Sequence, residues 1–460
     1  MKKVILSVAV FSMVMGYAQK REIHRAFDAA QSGNIADVNT ELAKADSEIN
    51  NDLSLLEPSL LEEYYFAKGT ALLKSNKTLE GADMLSKIID LGKEKIYKGK
   101  NANRDRVYFV GKEAAGKSGL SGLSEDTYSP KTLDKVNALI NPLLKATGDA
   151  AFTAYKNKDY AKAADKYLEV YNLLKATGNV DKVYKYYSAL NYALANDKEN
   201  AIKMYTDLIN SGYTGVTTQY KAKDKDGQIV NLDKKSYDML SKLGTSSGYS
   251  DFKTETTPSV EKELYETTTR LLVDAEKYDD ALTIINKGLQ KFPQNSILLD
   301  LQGTAYFKAG KTEQFLQSLQ QKVAQDPSDK VSWYNLGVLY SKDDSKFGDA
   351  ENAFKKALEV DPNYIPALQG IFYNVYMQGD DSKAINQAEA ARKSKNMDLF
   401  NKILKERRER FAKGLPYLEK WYSLEPKNKE IVSLLKGVYL SLHKEDKFKE
   451  MKKVEESLEK

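Results

Sequence analysis

An all-α solenoid of antiparallel helix pairs is the fold class this sequence predicts, and three observations predict it. Pro293, Pro327 and Pro362 recur 34 and 35 residues apart, each closing a stretch with helical spacing of apolar residues. Small residues at Ala281, Gly303, Gly337 and Ala350 alternate with large ones at Tyr306, Tyr340 and Phe354. Two helices need that alternation to approach on one side and fill the gap on the other. Third, 460 residues with 42% apolar side chains and 135 charged ones (70 Lys plus Arg, 65 Asp plus Glu) suit a fold that buries its apolar faces between neighbouring units.

Taken in chain order, residues 1–18 read as a secretory signal, because Lys2 and Lys3 precede the apolar run from Val4 to Met15 and Gly16-Tyr17-Ala18 places small residues for cleavage near Ala18. The run is too short to cross a bilayer, which takes about 20 apolar residues. The expectation is an exported, periplasmic protein, and without cysteine it is not a lipoprotein. Cleavage lowers the formal charge from +5 to +3, which argues against a general nucleic-acid binder. Residues 19–92 form an N-terminal helical region, with Ala26 and Ala29 set against Val38 and Leu42, and Gly69 against Ala82. Residues 93–130 are a basic, glycine-rich insertion expected to form a flexible hairpin. In 131–211, Ala163, Tyr167 and Val170 mark one helix pair and Tyr192, Ala201, Tyr205 and Leu208 the next, with Lys158-Asp159-Tyr160-Ala161 as an inter-helix turn. Residues 212–258 hold a loop with a β-hairpin at Asp226-Gly227, flanked by Gln219–Lys223 and Gln228–Leu232. Residues 259–391 carry further repeats, the last pairing Ile371 with Ala384, Ala388 and Ala391. Its second helix is expected to run on as a basic extension over 392–413. Residues 414–460 supply a closing pair and cap, through Tyr417, Leu418, Trp421, Tyr422, Pro426, Leu434, Leu435, Tyr439, Phe448 and Met451.

The stretch Trp333-Tyr334-Asn335-Leu336-Gly337-Val338-Leu339-Tyr340, followed by Ala350, Phe354, Ala357-Leu358 and Asp361-Pro362, carries the anchors of a tetratricopeptide repeat. The chain therefore resembles the tetratricopeptide repeat (TPR) proteins, most clearly between Leu264 and Pro362. With its signal, interrupted repeats and inserted hairpin it is similar to exported TPR proteins of Bacteroidetes. Phe315 departs from the pattern by replacing the usual small residue. The resemblance implies a right-handed superhelix whose concave groove holds protein or peptide segments, including subunits of an envelope complex, with no cofactor and no catalysis. Helical phase nominates Lys185, Asn191, Asn335 and Asn374 for that groove. The tyrosines clustered at Tyr64-Tyr65, Tyr184, Tyr186-Tyr187, Tyr373 and Tyr376 suit packing between helices, with any on a first helix free to line the groove.

Composition limits other chemistry. No cysteine means no disulfide, thiolate metal site or cysteine nucleophile, and His24 and His443 lie at opposite ends of the chain. Gly111-Lys112-Glu113-Ala114-Ala115-Gly116-Lys117-Ser118 matches a phosphate loop, the basis of a remote reading as a nucleotide-binding enzyme using Lys117 and Ser118. Gly119, Gly122 and Pro130 follow where a working loop needs a helix starting at the lysine. Asp224 to Asp233 has a calcium-loop flavour, but with Gly227 at the turn the first ligand position falls on Ala222. Two segments concentrate positive charge: 93–117 carries net +5 and 392–413 net +6. They support an alternative reading as a peripheral binder of anionic membranes or polyanions, with Arg407, Arg408 and Arg410 as contacts. Homo-oligomeric assembly through the solenoid ends is compatible with the leading scaffold reading.

Overall fold

The computed structural model describes residues 20–377 and 381–458, so the secretory signal read from residues 1–18 lies outside the described residues. The chain forms two compact units, one reaching to Ala275 and one beginning at Glu276.

In the first unit, helix α1 (residues 20–32) and α2 (Ile35–Glu48) precede the pair α3 (Pro58–Lys74) and α4 (Thr78–Lys93). The pairs α6 (Leu133–Lys156) with α7 (Tyr160–Ala176), and α8 (Lys182–Leu194) with α9 (Lys198–Asn210), follow, and then α11 (Glu261–Asp274). Each second helix starts at a defined point. Asp159 accepts the amide of Lys162 and Asp197 that of Asn200, so the first free N–H groups of α7 and α9 are satisfied by side chains. The turns before them use one left-handed residue each, Lys158 (φ 60°) and Asn196 (φ 59°), as Asn76 (φ 60°) does between α3 and α4. Ile23, Val38, Leu42, Tyr64, Leu85 and Ile88 build the N-terminal core, which continues through Val136 and Ile140 of α6 to Leu173 of α7.

Two insertions leave this stack without interrupting it: α4 packs on α7, and α9 on α11. The first is not the flexible hairpin that the sequence predicts, and the second is its predicted hairpin enlarged. The first is a three-stranded antiparallel sheet in the order β2-β1-β3, made of β1 (Ile96–Lys100), β2 (Arg106–Val110) and β3 (Ser124–Asp126), with the short helix α5 (Lys112–Lys117) between the last two. Ile96 is buried and ties the sheet to the helical core. The second keeps the Asp226-Gly227 hairpin, formed by β4 (Thr218–Lys223) and β5 (Ile229–Leu232), and adds helix α10 (Lys234–Leu243) and a third strand, β6 (Ser250–Thr256). β6 escapes the sequence reading because Phe252 is its one large apolar residue; its strand form comes from pairing with β4.

In the second unit, α12 (Tyr278–Lys291) is followed by α13 (Ser296–Lys308) with α14 (Thr312–Gln325), and α15 (Lys330–Tyr340) with α16 (Phe347–Val360). Phe354 of α16 is fully buried against Gly337, where an added Cβ would sit 2.7 Å from the ring, and against Gly370, where it would sit 2.5 Å away. Gly370 ends α17 (Ile365–Gly370), which continues through a π-helical turn, Ile371–Tyr376, closed by the Met377 amide on the Phe372 carbonyl at 2.8 Å.

The pairing expected next is corrected. Helix α18 (Asp381–Lys393) stops at a left-handed Lys395 (φ 58°), and α19 (Met397–Leu424) is one 28-residue helix, so the basic segment 392–413 spans a turn instead of extending α18. The partner of α17 is the C-terminal half of α19, where Gly414 comes within 2.8 Å (as a built Cβ) of Phe372, and Tyr417 stacks on Tyr376 at 6.0 Å. Helix α18 and the first half of α19 are thus an arm inserted inside one repeat. Helices α20 (Lys429–Ser441) and α21 (Glu445–Leu458) close the chain over Leu418, Trp421, Leu435 and Met451.

Candidate interaction site

Sister repeats place a fully buried alanine, Ala281 or Ala350, where α14 carries Phe315. A phenyl ring cannot occupy the space of a methyl group, so α13 stands off from α14. The glycine opposite, Gly303, has no neighbour closer than 3.7 Å to a built Cβ, against 2.7 Å at Gly337. The space so opened is a cavity of about 410 Å³ between α13, α14 and the start of α15, with Phe307, Phe315, Leu319 and Val331 among its apolar lining and Lys322 and Asn335 among its polar lining. Phe307 and Phe315 meet with ring centres 5.3 Å apart, and Phe307 (58% exposed) and Val331 (48%) present carbon to solvent at the mouth. Exposed apolar carbon beside a formed cavity is the usual signature of a contact site.

One wall is ionic. Lys322 bridges Asp300 at 2.7 Å and Asp329 at 3.0 Å, while Asp329 also accepts from the Val331 and Ser332 amides and the Ser332 hydroxyl. Burial disfavours the charge on both, but these bonds outweigh it: the Lys322 ammonium is held above its ordinary range and the Asp329 carboxyl below. Lys322 and Asp329 therefore stay ionised at neutral pH, and one ammonium facing two carboxylates has a formal charge of −1. Ser318 donates to the Phe315 carbonyl, and Ser332 is buried with its hydroxyl on Asp329, the residue that caps α15. The arrangement suits reception of an apolar side chain whose flanking backbone meets amides and a carboxylate.

Asn335 is among the residues lining this cavity. Lys185 is drawn inward: it bonds Asp207 at 2.7 Å and lies 5.5 Å over the Tyr171 ring. Asn191 is buried and donates to the Tyr187 carbonyl at 2.8 Å, and Asn374 is half-buried in the π-turn. Arg407 binds Asp381 through Nε and Nη2, the shortest contact 2.6 Å, and reaches Ser441. Arg408 lies 3.3 Å from His443 Nε2, and Arg410 donates to the Tyr376 carbonyl at 3.2 Å. Arg407 and Arg410 thereby fasten the inserted arm at its base. Most clustered tyrosines are packing residues with acidic partners: Tyr64 on Asp46, Tyr373 on Glu430 and Tyr376 on Glu351. Burial, with Glu263 at its hydroxyl, pushes Tyr186 up to about 12. Phe307 and Val331 were missed by sequence reasoning, although Phe315 signals the disturbance beside them.

The phosphate-loop match is wound differently from a working loop. Helix α5 begins at Lys112 and ends at Lys117, so the amides of Ala115 and Ser118 are spent on the carbonyls of Gly111 and Ala114. Lys117 sits at the electronegative helix end and pairs with Glu113 at 2.5 Å. The residues of the calcium-like segment are engaged too: Asp224 accepts the amides of Asp226 and Gln228 in the turn, and Asp233 caps α10. No helix among the described residues is long and apolar enough to cross a membrane.

Helix pairs repeating at 34 to 35 residues, with Gly337, Gly370 and Ala350 closing on Phe354, define a TPR-type α-solenoid. No family model and no curated protein matches the chain. Solved structures similar to it include a tetratricopeptide repeat protein from Parabacteroides merdae (14% identity over 60% of this chain and 91% of that one, TM-score 0.30). Another is YrrB, described as a TPR protein with an unusual peptide-binding site (16% identity, 55% and 91%, TM-score 0.32), and a third is MamA (15%, 47% and 93%, 0.29). The repeat assignment rests on the contacts above and not on these likenesses.

Proposed function

We propose that the protein is a non-catalytic interaction scaffold, exported to the periplasm, that receives an extended segment of a protein partner across α13 and α15. The observation that carries this reading is the cavity at Phe315, an opening made by a departure from the repeat pattern and bordered by exposed Phe307 and Val331. An apolar anchor of the partner fills it, Asn335 bonds the partner backbone, and the acidic triad favours a neighbouring basic residue. Export rests on the sequence of residues 1–18.

A photo-crosslinker at Val331, compared with one at Glu359 on α16, tests the scaffold reading in the host envelope. Crosslinks to one protein from position 331, lost in the Phe307→Asp chain, support it. Equal labelling from both positions overturns it, and crosslinks to a second copy of this chain identify the partner as itself. Release with the periplasmic fraction on opening the outer membrane tests export separately.

A further inference from the structure

The first inserted sheet presents a second cavity, of about 780 Å³, unrelated to the repeat groove. The strand register explains its lining. Ile96, Lys98 and Lys100 share one face of β1; opposite them, in order, stand Val110, Tyr108 and Arg106 of β2, with Ser124 and Asp126 of β3 on the other side. All of these but Val110, with Tyr128 and the Glu57–Ser59 segment, wall the cavity. The acids present are already neutralised: Asp126 by Lys98 at 2.7 Å and Glu57 by Lys20 at 3.0 Å. Lys100 and Arg106 have no carboxylate partner among the described residues, yet they are directly paired across the strands. Two like charges in that position repel, at Cβ separations of roughly 4.5–5.5 Å, and the sheet gains from anything that neutralises both.

We propose that this cavity binds a phosphate monoester, with Lys100 and Arg106 on the phosphoryl oxygens and Tyr108 and Tyr128 against the organic body. Two uncompensated cations call for two negative charges, and a phosphate monoester carries about −1.5 to −2 at neutral pH where a single carboxylate carries one. The guanidinium fork fits phosphoryl oxygens two at a time, and the ammonium adds a point charge. The volume falls in the range of sites for small organic ligands, about 300–1,000 Å³. This site is separate from the phosphate-loop match, whose Lys117 faces Glu113.

Calorimetric titration of the purified chain with phenyl phosphate and inorganic phosphate, beside sedimentation with phosphatidylcholine vesicles containing phosphatidic acid, tests the proposal. Saturable phenyl phosphate binding is expected, weakened about tenfold or more in Lys100→Gln/Arg106→Gln and unchanged in Lys112→Gln. Both substituted residues are exposed, and unchanged far-UV circular dichroism confirms that the fold persists. Equal binding of inorganic phosphate assigns the site to free phosphate; capture by phosphatidic acid vesicles, lost in the double variant, assigns it to a lipid headgroup. Flat titrations up to about 10 mM together with no vesicle capture, or binding that the double variant retains, overturn the proposal.

Discussion

Gly303 and Gly337 occupy the same place in successive repeats, yet the space before them differs, and substitution should separate them. At Gly337 a methyl group meets the Phe354 ring at 2.7 Å, so Gly337→Ala is expected to cost about 1–3 kcal/mol through forced repacking. At Gly303 the nearest atom is 3.7 Å away, and Gly303→Ala should leave stability level or raise it by up to about 1 kcal/mol through helix propensity. Urea midpoints of the two variants check both signs. Asp329 gives a pH prediction. Burial opposes its ionisation, but the Ser332 bonds and Lys322 prevail and hold its carboxyl below the ordinary 3.8. A carboxylate whose pKa falls on folding contributes its full stability above that value and loses it as pH drops through the lower folded one. Unfolding around α13 to α15 is therefore expected below about pH 4, with a flatter acid limb in Asp329→Asn, followed by amide exchange.

The inserted arm sets the next level of organisation. Its base is held by Arg407 on Asp381, both largely buried, and by Arg410 on the Tyr376 carbonyl. Arg407→Ala is expected to lower local stability by about 1.5–3 kcal/mol and to speed exchange over residues 383–404, while Trp421 stays buried and its emission unshifted. The arm also shows where sequence reading stops. Repeats between Ala281 and Pro362 were legible because small residue, large residue and proline return at one spacing. The following repeat was not, because its second helix starts in the middle of α19, at Gly414, and α18 has a helical period of its own that mimics the missing partner. The polar strands β3 and β6 were hidden for another reason: their strand form depends on a neighbour that no local pattern announces. At the cavity beside α14, Phe315 was legible from its break with the pattern, whereas nothing local marks Phe307 or Val331 as its neighbours. A charge run nominated Arg407 and helical phase nominated Lys185, and neither signal announces a carboxylate waiting 26 or 22 residues away.

Across the whole molecule, stability should accumulate between neighbours and need not disappear in a single step. Both tryptophans, Trp333 and Trp421, belong to the unit that begins at Glu276, so their fluorescence reports on that unit, whereas far-UV circular dichroism reports on every helix. The two signals are expected to give different denaturation midpoints; coincident curves would show one cooperative transition instead. The continuity of the stack past both insertions has a practical side. Because α9 meets α11 regardless of what lies between them, the Asp226-Gly227 turn is a place to graft a fluorescent tag or affinity handle, at the end of the chain's own detour. Such a graft would allow the protein to be followed in living cells with its ends and its repeat helices left as they are.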